Sequence, residues 1–384
     1  MDNDTFAALR DAVRRFVIER LIPSEDIVES TDEVPEAIIQ EMRDLGLFGL
    51  TVPEEFGGIG LSMSEEAQVI YELGHTALAF RSVIGTTVGI GSQGIVIDGT
   101  PEQKAEWLPR LASGEVVASF ALTEPEAGSD AASLRTVAKK DGSDYLLTGT
   151  KRFITNAPRA GVFTVMARTD PDTPGANGIS AFIVPANLPG ITLGQPDRKM
   201  GQRGTKTCDV IFDDCRVPAS NIIGGVAGMG FRTAMKVLDR GRIHLAALAC
   251  GMSERLISEA LGYATQRKQF GQPISDFQLV QAMLADSRVD ASVGWAMTTQ
   301  TAARYDLRED VSLEAACCKY FASEAVGRIA DRAVQIHGGA GYMADFKVER
   351  FYRDVRLLRI YEGTSQIQQL LIARKMVRAF TAGM

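Results

Sequence analysis

Near the end of the 384-residue chain, Tyr361-Glu362-Gly363-Thr364 sets a lone carboxylate between an aromatic ring and a Gly-Thr pair. A helical pattern resumes at Gln366 and runs through Leu370, Leu371 and Ile372. Gly363 lets the backbone come close to a ligand, and Thr364 is a natural N-cap for the helix that follows. Glu362 is therefore expected on a turn at a helix start, with free backbone N–H groups beside it. A carboxylate there can act as a base while the amides bind a developing oxyanion. On its own, the same acid reads as a surface residue favoured by a helix N-terminus, so the rest of the chain has to decide.

Four further segments can carry chemistry. Phe120-Ala121-Leu122-Thr123-Glu124-Pro125-Glu126-Ala127-Gly128-Ser129 runs from a strand into a Pro/Gly loop. Its hydroxyls, Thr123 and Ser129, can hydrogen-bond the polar edge of a flat heterocycle. In Lys151-Arg152-Phe153-Ile154-Thr155 a ring and a hydroxyl stand two apart, on one face of a strand. Arg267-Lys268-Gln269-Phe270-Gly271 reads as a helix terminus whose Arg can meet a phosphate. Gln335-Ile336-His337-Gly338-Gly339-Ala340-Gly341 offers close backbone approach but lacks the Lys-Ser/Thr of a P-loop. Taken singly, these are also an ordinary turn, a strand end, a solvated charge and a generic glycine loop.

The elements that must position them fall into three regions. Residues 1–116 read as helical: Phe6, Leu9, Val13 and Phe16 recur at helical spacing, and Ser82 to Ile97 reads as one buried helix of small residues. From 117 to 227 short runs alternate (Val116-Phe120, Tyr145-Leu147, Phe163-Ala167, Ala181-Val184, Val210-Phe212). Turn signals such as Asp141-Gly142, Pro174-Gly175 and Pro189-Gly190 separate them, which predicts a small antiparallel β domain. From 228 to 384 long Ala/Leu/Met-rich segments with short links predict a helical bundle. The fold class expected is α+β in the order helices, β domain, four-helix bundle.

Composition narrows the function. The chain is 45% hydrophobic and 23% charged, as soluble globular proteins are, and its net charge of −7 argues against nucleic-acid binding. No run approaches the roughly 20 apolar residues of a membrane span. Met1-Asp2-Asn3-Asp4 has neither the basic start nor the apolar run of a signal peptide. Five cysteines lack metal-ligand spacing, adjacent Cys317-Cys318 reads as small core filler, and three histidines form no zinc cluster. No metal is expected, and a reducing compartment, the cytoplasm, is.

Together, in this order and over almost the whole chain, these segments resemble the flavin-dependent acyl-CoA dehydrogenase family. The resemblance implies FAD held between the β domain and the C-terminal helices of a homotetramer, without a dinucleotide-binding strand–helix loop. It matches Phe120, Leu122, Thr123, Gly128 and Ser129 to the loop along the isoalloxazine and the thioester, and Phe153 and Thr155 to the strand covering the ring. Many relatives carry Trp where Phe153 stands. Arg267, Gln269 and Phe270 match a motif reaching the FAD diphosphate from a neighbouring subunit. Gln335, Gly338 and Gly339 match the partner loop, and Thr364 and Gln366 cofactor contacts after the catalytic Glu.

By the same resemblance Glu362 is the base, because the alternative position on a C-terminal helix is Gly241 here. Tyr361 and Gly363 flank it in the substrate site, and Asp239 and Arg242 match contacts to the pantetheine part of CoA. Arg81-Ser82 matches an Arg-Ser pair with which glutaryl-CoA dehydrogenases hold a distal carboxylate, although Gly85 replaces an assisting serine. Arg81 would otherwise pair with Glu72 or Asp98. The activity implied is α,β-dehydrogenation of an acyl-CoA with an electron-transfer flavoprotein as acceptor. An oxidase, decarboxylating or desulfinating variant is the second class, and a scaffold without activity the third.

Overall fold

The computed structural model describes every residue except Pro174 and Met384, so Pro174 of the expected turn lies outside the described residues. The N-terminal region holds α1 (Asn3–Phe16), α2 (Glu25–Thr31), α3 (Glu36–Asp44), α4 (Met63–Leu73), α5 (Leu78–Gly85), α6 (Gln93–Asp98) and α7 (Pro101–Ala112). Side-chain caps that the periodicity did not mark start two of these helices. Asp2 caps α1 by accepting from the Thr5 amide, and Ser62 and Glu65 form a reciprocal capping box on α4.

The helix expected from Ser82 to Ile97 is broken. After α5 the backbone widens into a π-turn over Thr86–Gly91 before α6 begins. The amide and the hydroxyl of Ser92 both donate to the Thr87 carbonyl, at 3.0 and 2.8 Å, which fixes the i→i−5 pairing that an α-helix would not make.

The middle region is one sheet of β1 (Ala118–Ala121), β2 (Val137–Asp141), β3 (Asp144–Thr155), β4 (Val162–Arg168), β5 (Ile179–Pro185), β6 (Ile191–Leu193) and β7 (Thr207–Pro218). Their order is β1-β4-β2-β3-β7-β6, with β5 on β4. The sheet is antiparallel in most of its pairs but not in all. β1 runs parallel to β4, Phe120 opposite Thr164, and β2 touches β4 in parallel at Val137 and Arg168. The β2–β3 hairpin lies between β1 and β4 in the chain and is long enough to return β4 in the same direction. β4 and β5 are buried on both faces, so Phe163-Ala167 and Ala181-Val184 are near-continuous apolar runs rather than the alternating ones expected.

The C-terminal region comprises α8 (Gly230–Gln266), α9 (Gln278–Asp306), α10 (Ser312–His337), α11 (Lys347–Val355) and α12 (Ser365–Ala382). α8, α9 and α10 pack on one another, and α12 packs on α10. α8 is the central strut, buried along most of its length from Gly230 to Ala264. α4 crosses α8 at two glycines. A Cβ on Gly74 would lie 2.7 Å from the Leu248 carbonyl, and one on Gly251 2.1 Å from that of Tyr71. This close crossing brings Glu66 of α4 against His244 of α8. Cys318 is buried beside the Thr301 hydroxyl at 3.0 Å, whereas Cys317 is only half-buried. Among the described residues no helix is long and apolar enough to cross a membrane, and no acid, His and Cys cluster could hold a metal ion.

Candidate active site

Glu362 and Gly363 both have left-handed backbone, φ 51° and 91°. For a glutamate that conformation carries strain, so the surroundings must enforce it. Three contacts do. Thr364 caps α12 by accepting from the Ile367 amide at 3.2 Å. The buried ammonium of Lys319 on α10 donates to the Gly363 carbonyl at 2.7 Å, and Gln368 donates to the carbonyls of Gly363 and Glu362 at 3.1 and 3.3 Å. The turn is thereby held with the glutamate side chain pointing inward. Its Oε2 is buried and has no hydrogen-bond partner among the described residues.

Gly241 of α8 makes that placement possible: a Cβ there would lie 2.5 Å from Glu362 Oε2. Burial pushes the Glu362 carboxyl above the usual carboxylate range, against the pull of Arg81, Lys319 and Arg242. Burial also brings the Lys319 ammonium down to about 8.

Two adjoining cavities, of about 360 and 620 Å³, meet at this carboxylate. Thr123, Gly128, Ser129, Phe153, Thr155, Gln202, Tyr361, Glu362 and Gly363 line both. The smaller reaches inward to Arg81, Ser82 and Gly85 of α5 and to Arg242 of α8. The larger extends past Arg198, Arg353 and Thr364. At the junction two more buried polar atoms lack partners among the described residues, the Tyr361 hydroxyl and Gln202 Nε2. Such groups cost free energy unless a ligand satisfies them.

The loop from Thr123 to Ser129 is anchored from beneath. Glu124 and Lys151 form a buried ion pair at 2.7 Å, and the other contacts of Glu124 are the amides of Arg135 and Thr136 at 2.6 and 2.9 Å. The Arg152 amide donates to the Thr123 carbonyl at 2.8 Å, tying β3 to the loop. Phe153 and Thr155 both face the cavities, but not through regular alternation. The β3–β7 register slips between Lys151 and Ile154, and Phe153 sits at φ 59° in that bulge with its ring largely exposed.

Of the expected site residues, Phe120, Leu122, Arg81, Arg242, Tyr361 and Thr364 also line the cavities. Asp239 instead pairs with Arg242 one helical turn on. Arg267, Gln269, Phe270, Gln335, Gly338, Gly339 and Gln366 are exposed and lie outside both cavities, with Phe270 95% exposed. Arg81 meets neither Glu72 nor Asp98. Glu72 faces Arg14 and Asp98 pairs with Lys236, while Arg81 donates to His244 at 2.9 Å.

Sequence reasoning missed Gln202, Lys319 and Gln368. The first had a faint signal, a polar residue bracketed by Gly201 and Gly204. Lys319 and Gln368 had none, since tertiary packing alone brings them to the turn.

Comparison with known proteins decides the family. Profiles for the N-terminal, middle and C-terminal domains of acyl-CoA dehydrogenase match residues 3–115, 119–215 and 228–377. The chain belongs to the acyl-CoA dehydrogenase family. It is 42% identical over 366 residues to an acyl-CoA dehydrogenase of Bacillus subtilis, covering 95% of this chain and 96% of that one. It is 39% identical to a 3-(aryl)acrylate reductase of Clostridium sporogenes over 96% of this chain and 98% of that one. The butyryl-CoA dehydrogenase structure from Megasphaera elsdenii superposes with a TM-score of 0.93 at 33% identity, covering 98% and 100%.

This acyl-CoA dehydrogenase is an oxidoreductase acting on a CH–CH bond of an acyl-CoA, with FAD as cofactor. The residues present fit a flavin. The larger cavity offers the flat ring of Phe153, hydroxyls at Thr123, Ser129 and Thr155, and the buried, unpartnered donor of Gln202. At Gly128 an added Cβ would meet nothing within 4 Å, so the loop backbone lies open to a ligand.

Proposed function

We propose that Glu362 is the base that removes the α-proton of a bound acyl thioester, with its own backbone N–H as a donor to the thioester oxygen. The observation that carries this reading is the buried, unpartnered Glu362 Oε2 at the junction of the two cavities, in the space left by Gly241. The α-proton is weakly acidic, so the base must have a raised pKa and the developing enolate oxygen must be stabilised. Burial supplies the first. The left-handed turn supplies the second by leaving the Glu362 amide without a partner among the described residues. FAD, when bound, supplies the acceptor for the β-hydrogen as hydride.

Phe120, Leu122, Thr123, Gly128, Ser129, Phe153, Thr155 and Thr364 would hold the flavin. Arg267, Gln269, Phe270, Gln335, Gly338, Gly339 and Gln366 would reach it across subunits of a homotetramer, which accords with their exposure. Tyr361, Gly363 and Ser129 would line the thioester. Arg242, oriented by Asp239, would face the pantetheine arm. The acceptor is an electron-transfer flavoprotein and the compartment the cytoplasm.

One observation favours a second substrate class, an acyl group with an acidic tail. Arg81 is buried on the wall of the smaller cavity, and its hydrogen-bond partner there is the imidazole of His244, not a carboxylate. A buried cation with no carboxylate in hydrogen-bond contact favours an anion in the cavity beside it.

The test is anaerobic titration of the FAD-loaded enzyme with butyryl- to dodecanoyl-CoA, isovaleryl-CoA and glutaryl-CoA, following flavin bleaching in wild type, Glu362→Gln and Arg81→Ala. Glu362→Gln is expected to bleach at least about 10²-fold more slowly while still binding acyl-CoA. Bleaching as fast as wild type would remove Glu362 from the role. Bleaching by glutaryl-CoA that disappears in Arg81→Ala would establish the acidic-tail class. Bleaching by neutral chains, unaffected by that change, would exclude it.

A further inference from the structure

Behind the smaller cavity lies a chain of four buried polar side chains, of which only Arg81 has been used above. Arg81 Nε donates to His244 Nε2 at 2.9 Å. His244 Nδ1 and Glu66 Oε1 are 2.6 Å apart, and Arg240 closes the chain on both oxygens of Glu66, with Nη1 at 3.3 Å from Oε1. His244 and Glu66 are fully buried, and Arg81 and Arg240 nearly so.

The protonation pattern follows from donors and acceptors alone. A guanidinium Nε always carries hydrogen, so His244 Nε2 must accept. The single proton of the neutral ring then sits on Nδ1, pointing at the Glu66 carboxylate. Burial and the neighbouring guanidinium of Arg81 push the imidazole down to about 4, so it stays neutral at working pH. Within these four side chains Arg240 compensates Glu66 and no carboxylate pairs with Arg81; outside them Arg81 acts on the Glu362 carboxyl without a hydrogen bond to it.

The backbone is cut away to fit this arrangement. A Cβ on Gly85 would lie 2.8 to 2.9 Å from three atoms of the Arg81 guanidinium, so that group rests directly over Gly85. Gly89, one turn further, faces Arg81 Nη2 and His244 Cε1, each 3.9 Å from where its Cβ would be. From the other side Asn156 donates to the Ser82 carbonyl and the Thr86 hydroxyl, at 2.8 and 2.9 Å, and fixes the helix to the sheet.

We propose that His244 is a positioning residue: as a neutral ring protonated on Nδ1 and held by Glu66, it receives the Arg81 Nε–H and keeps that guanidinium over Gly85 as a positive charge, not cancelled by its hydrogen-bond partner, on the wall of the acyl cavity. A carboxylate in its place would cancel the charge, and an apolar residue would release the side chain. The inference rests on the acyl-CoA reading of the cavity. It names the class of ligand the charge selects, an acyl chain ending in an oxyanion. The other charged and titratable groups around the Glu362 end of the cavity are Lys319 of α10, Arg242 of α8 with its partner Asp239, and Tyr361.

The experiment measures binding rather than turnover. Calorimetry on the FAD-loaded enzyme compares two redox-inert CoA thioethers, S-butyl-CoA and S-(4-carboxybutyl)-CoA, in wild type, Arg81→Met, His244→Leu, His244→Gln and Gly85→Ala. Wild type is expected to prefer the carboxylate by about tenfold or more, the effect of one charged hydrogen bond. The preference should vanish in Arg81→Met, in His244→Leu and in Gly85→Ala, which displaces the guanidinium while leaving His244 intact. It should survive in His244→Gln, whose amide oxygen can still accept. Arg81→Met and His244→Leu should also move the acid limb of flavin reduction by a neutral acyl-CoA to higher pH, because Glu362 loses a nearby cation.

If the preference persists in His244→Leu and Gly85→Ala but not in Arg81→Met, His244 does not position Arg81. Loss of it in folded His244→Gln would make ring bulk the working feature and equally overturn the proposal. A wild type without preference would overturn the proposal and leave Glu362 as the base. A wild type that binds neither thioether would defeat the acyl-CoA reading itself, and this inference with it.

Discussion

Replacing Gly241 by alanine puts one methyl group 2.5 Å from Glu362 Oε2, while the next atom it meets, Ile90 Cγ2, lies at an ordinary 3.5 Å. The methyl therefore has room except where the carboxylate stands. The carboxylate, the far end of a flexible side chain, must retreat by roughly 1 Å to reach normal contact. Folding should hardly suffer, because a glycine inside α8 becomes alanine, a gain of about 0.5–1 kcal/mol that offsets the cost of an altered rotamer. Chemistry should suffer far more, since a misplacement of about 1 Å can cost on the order of 10²-fold in rate, or about 3 kcal/mol.

Rapid-mixing measurement of flavin reduction, beside thermal unfolding of the same preparation, separates the two effects. The expected outcome is a melting temperature at or above wild type with reduction slowed about 10²-fold. Combining Gly241→Ala with Glu362→Gln should add no further loss, because the methyl acts only through the carboxylate. Reduction at the wild-type rate in Gly241→Ala, or a full additive loss in the double variant, would refute the assignment of that space to the working base.

Two other perturbations probe the supports of the site. Lys151→Met leaves the Glu124 carboxylate buried without its cation, so unfolding free energy in denaturant should fall by about 3–5 kcal/mol and FAD should be lost more readily as the Thr123–Ser129 loop loosens; unchanged stability would mean the pair is not a support. Asp354, which accepts from the Gln202 amide, is pushed up to about 6 by burial, against about 3.9 in an unfolded chain. Between those values the folded state binds more protons, so this residue lowers stability as pH rises through the window. Asp354→Asn does not titrate, and its melting temperature relative to wild type should climb between roughly pH 4 and 7, by at most about 3 kcal/mol in stability terms; a difference flat in pH would contradict the raised acid.

What was legible in the sequence was local. Tyr361-Glu362-Gly363-Thr364 could be read because the turn, the cap and the helix after it are neighbours in the chain, and the structure places Glu362 on such a turn, capped by Thr364. The strands β4 and β5 were legible as strands, though as alternating runs rather than the doubly buried ones they are. β2, with Lys139, Lys140 and Asp141 exposed, and the three-residue β6 were not, because they carry no periodic signal. The break after α5 was hidden for a related reason: Thr87 and Ser92 look like helix residues until the Ser92 hydroxyl takes the Thr87 carbonyl.

Position 81 shows why local matching stops short of specificity. An Arg-Ser pair at Arg81-Ser82 can be recognised from the string alone, but whether that cation is available to a ligand depends on what faces it. The partner lies 163 residues away on α8, and the carboxylate that fixes the partner's tautomer stands 178 residues from that partner, back on α4. A carboxylate facing Arg81 would have made it a structural ion pair with nothing to offer a substrate. A neutral imidazole, forced to accept by the guanidinium and to donate by Glu66, leaves the charge intact while holding its bearer still. If Arg81 reads the acyl tail as proposed, selectivity rests on the crossing of α4 over α8 at Gly74 and Gly251 as much as on the residues that line the cavity.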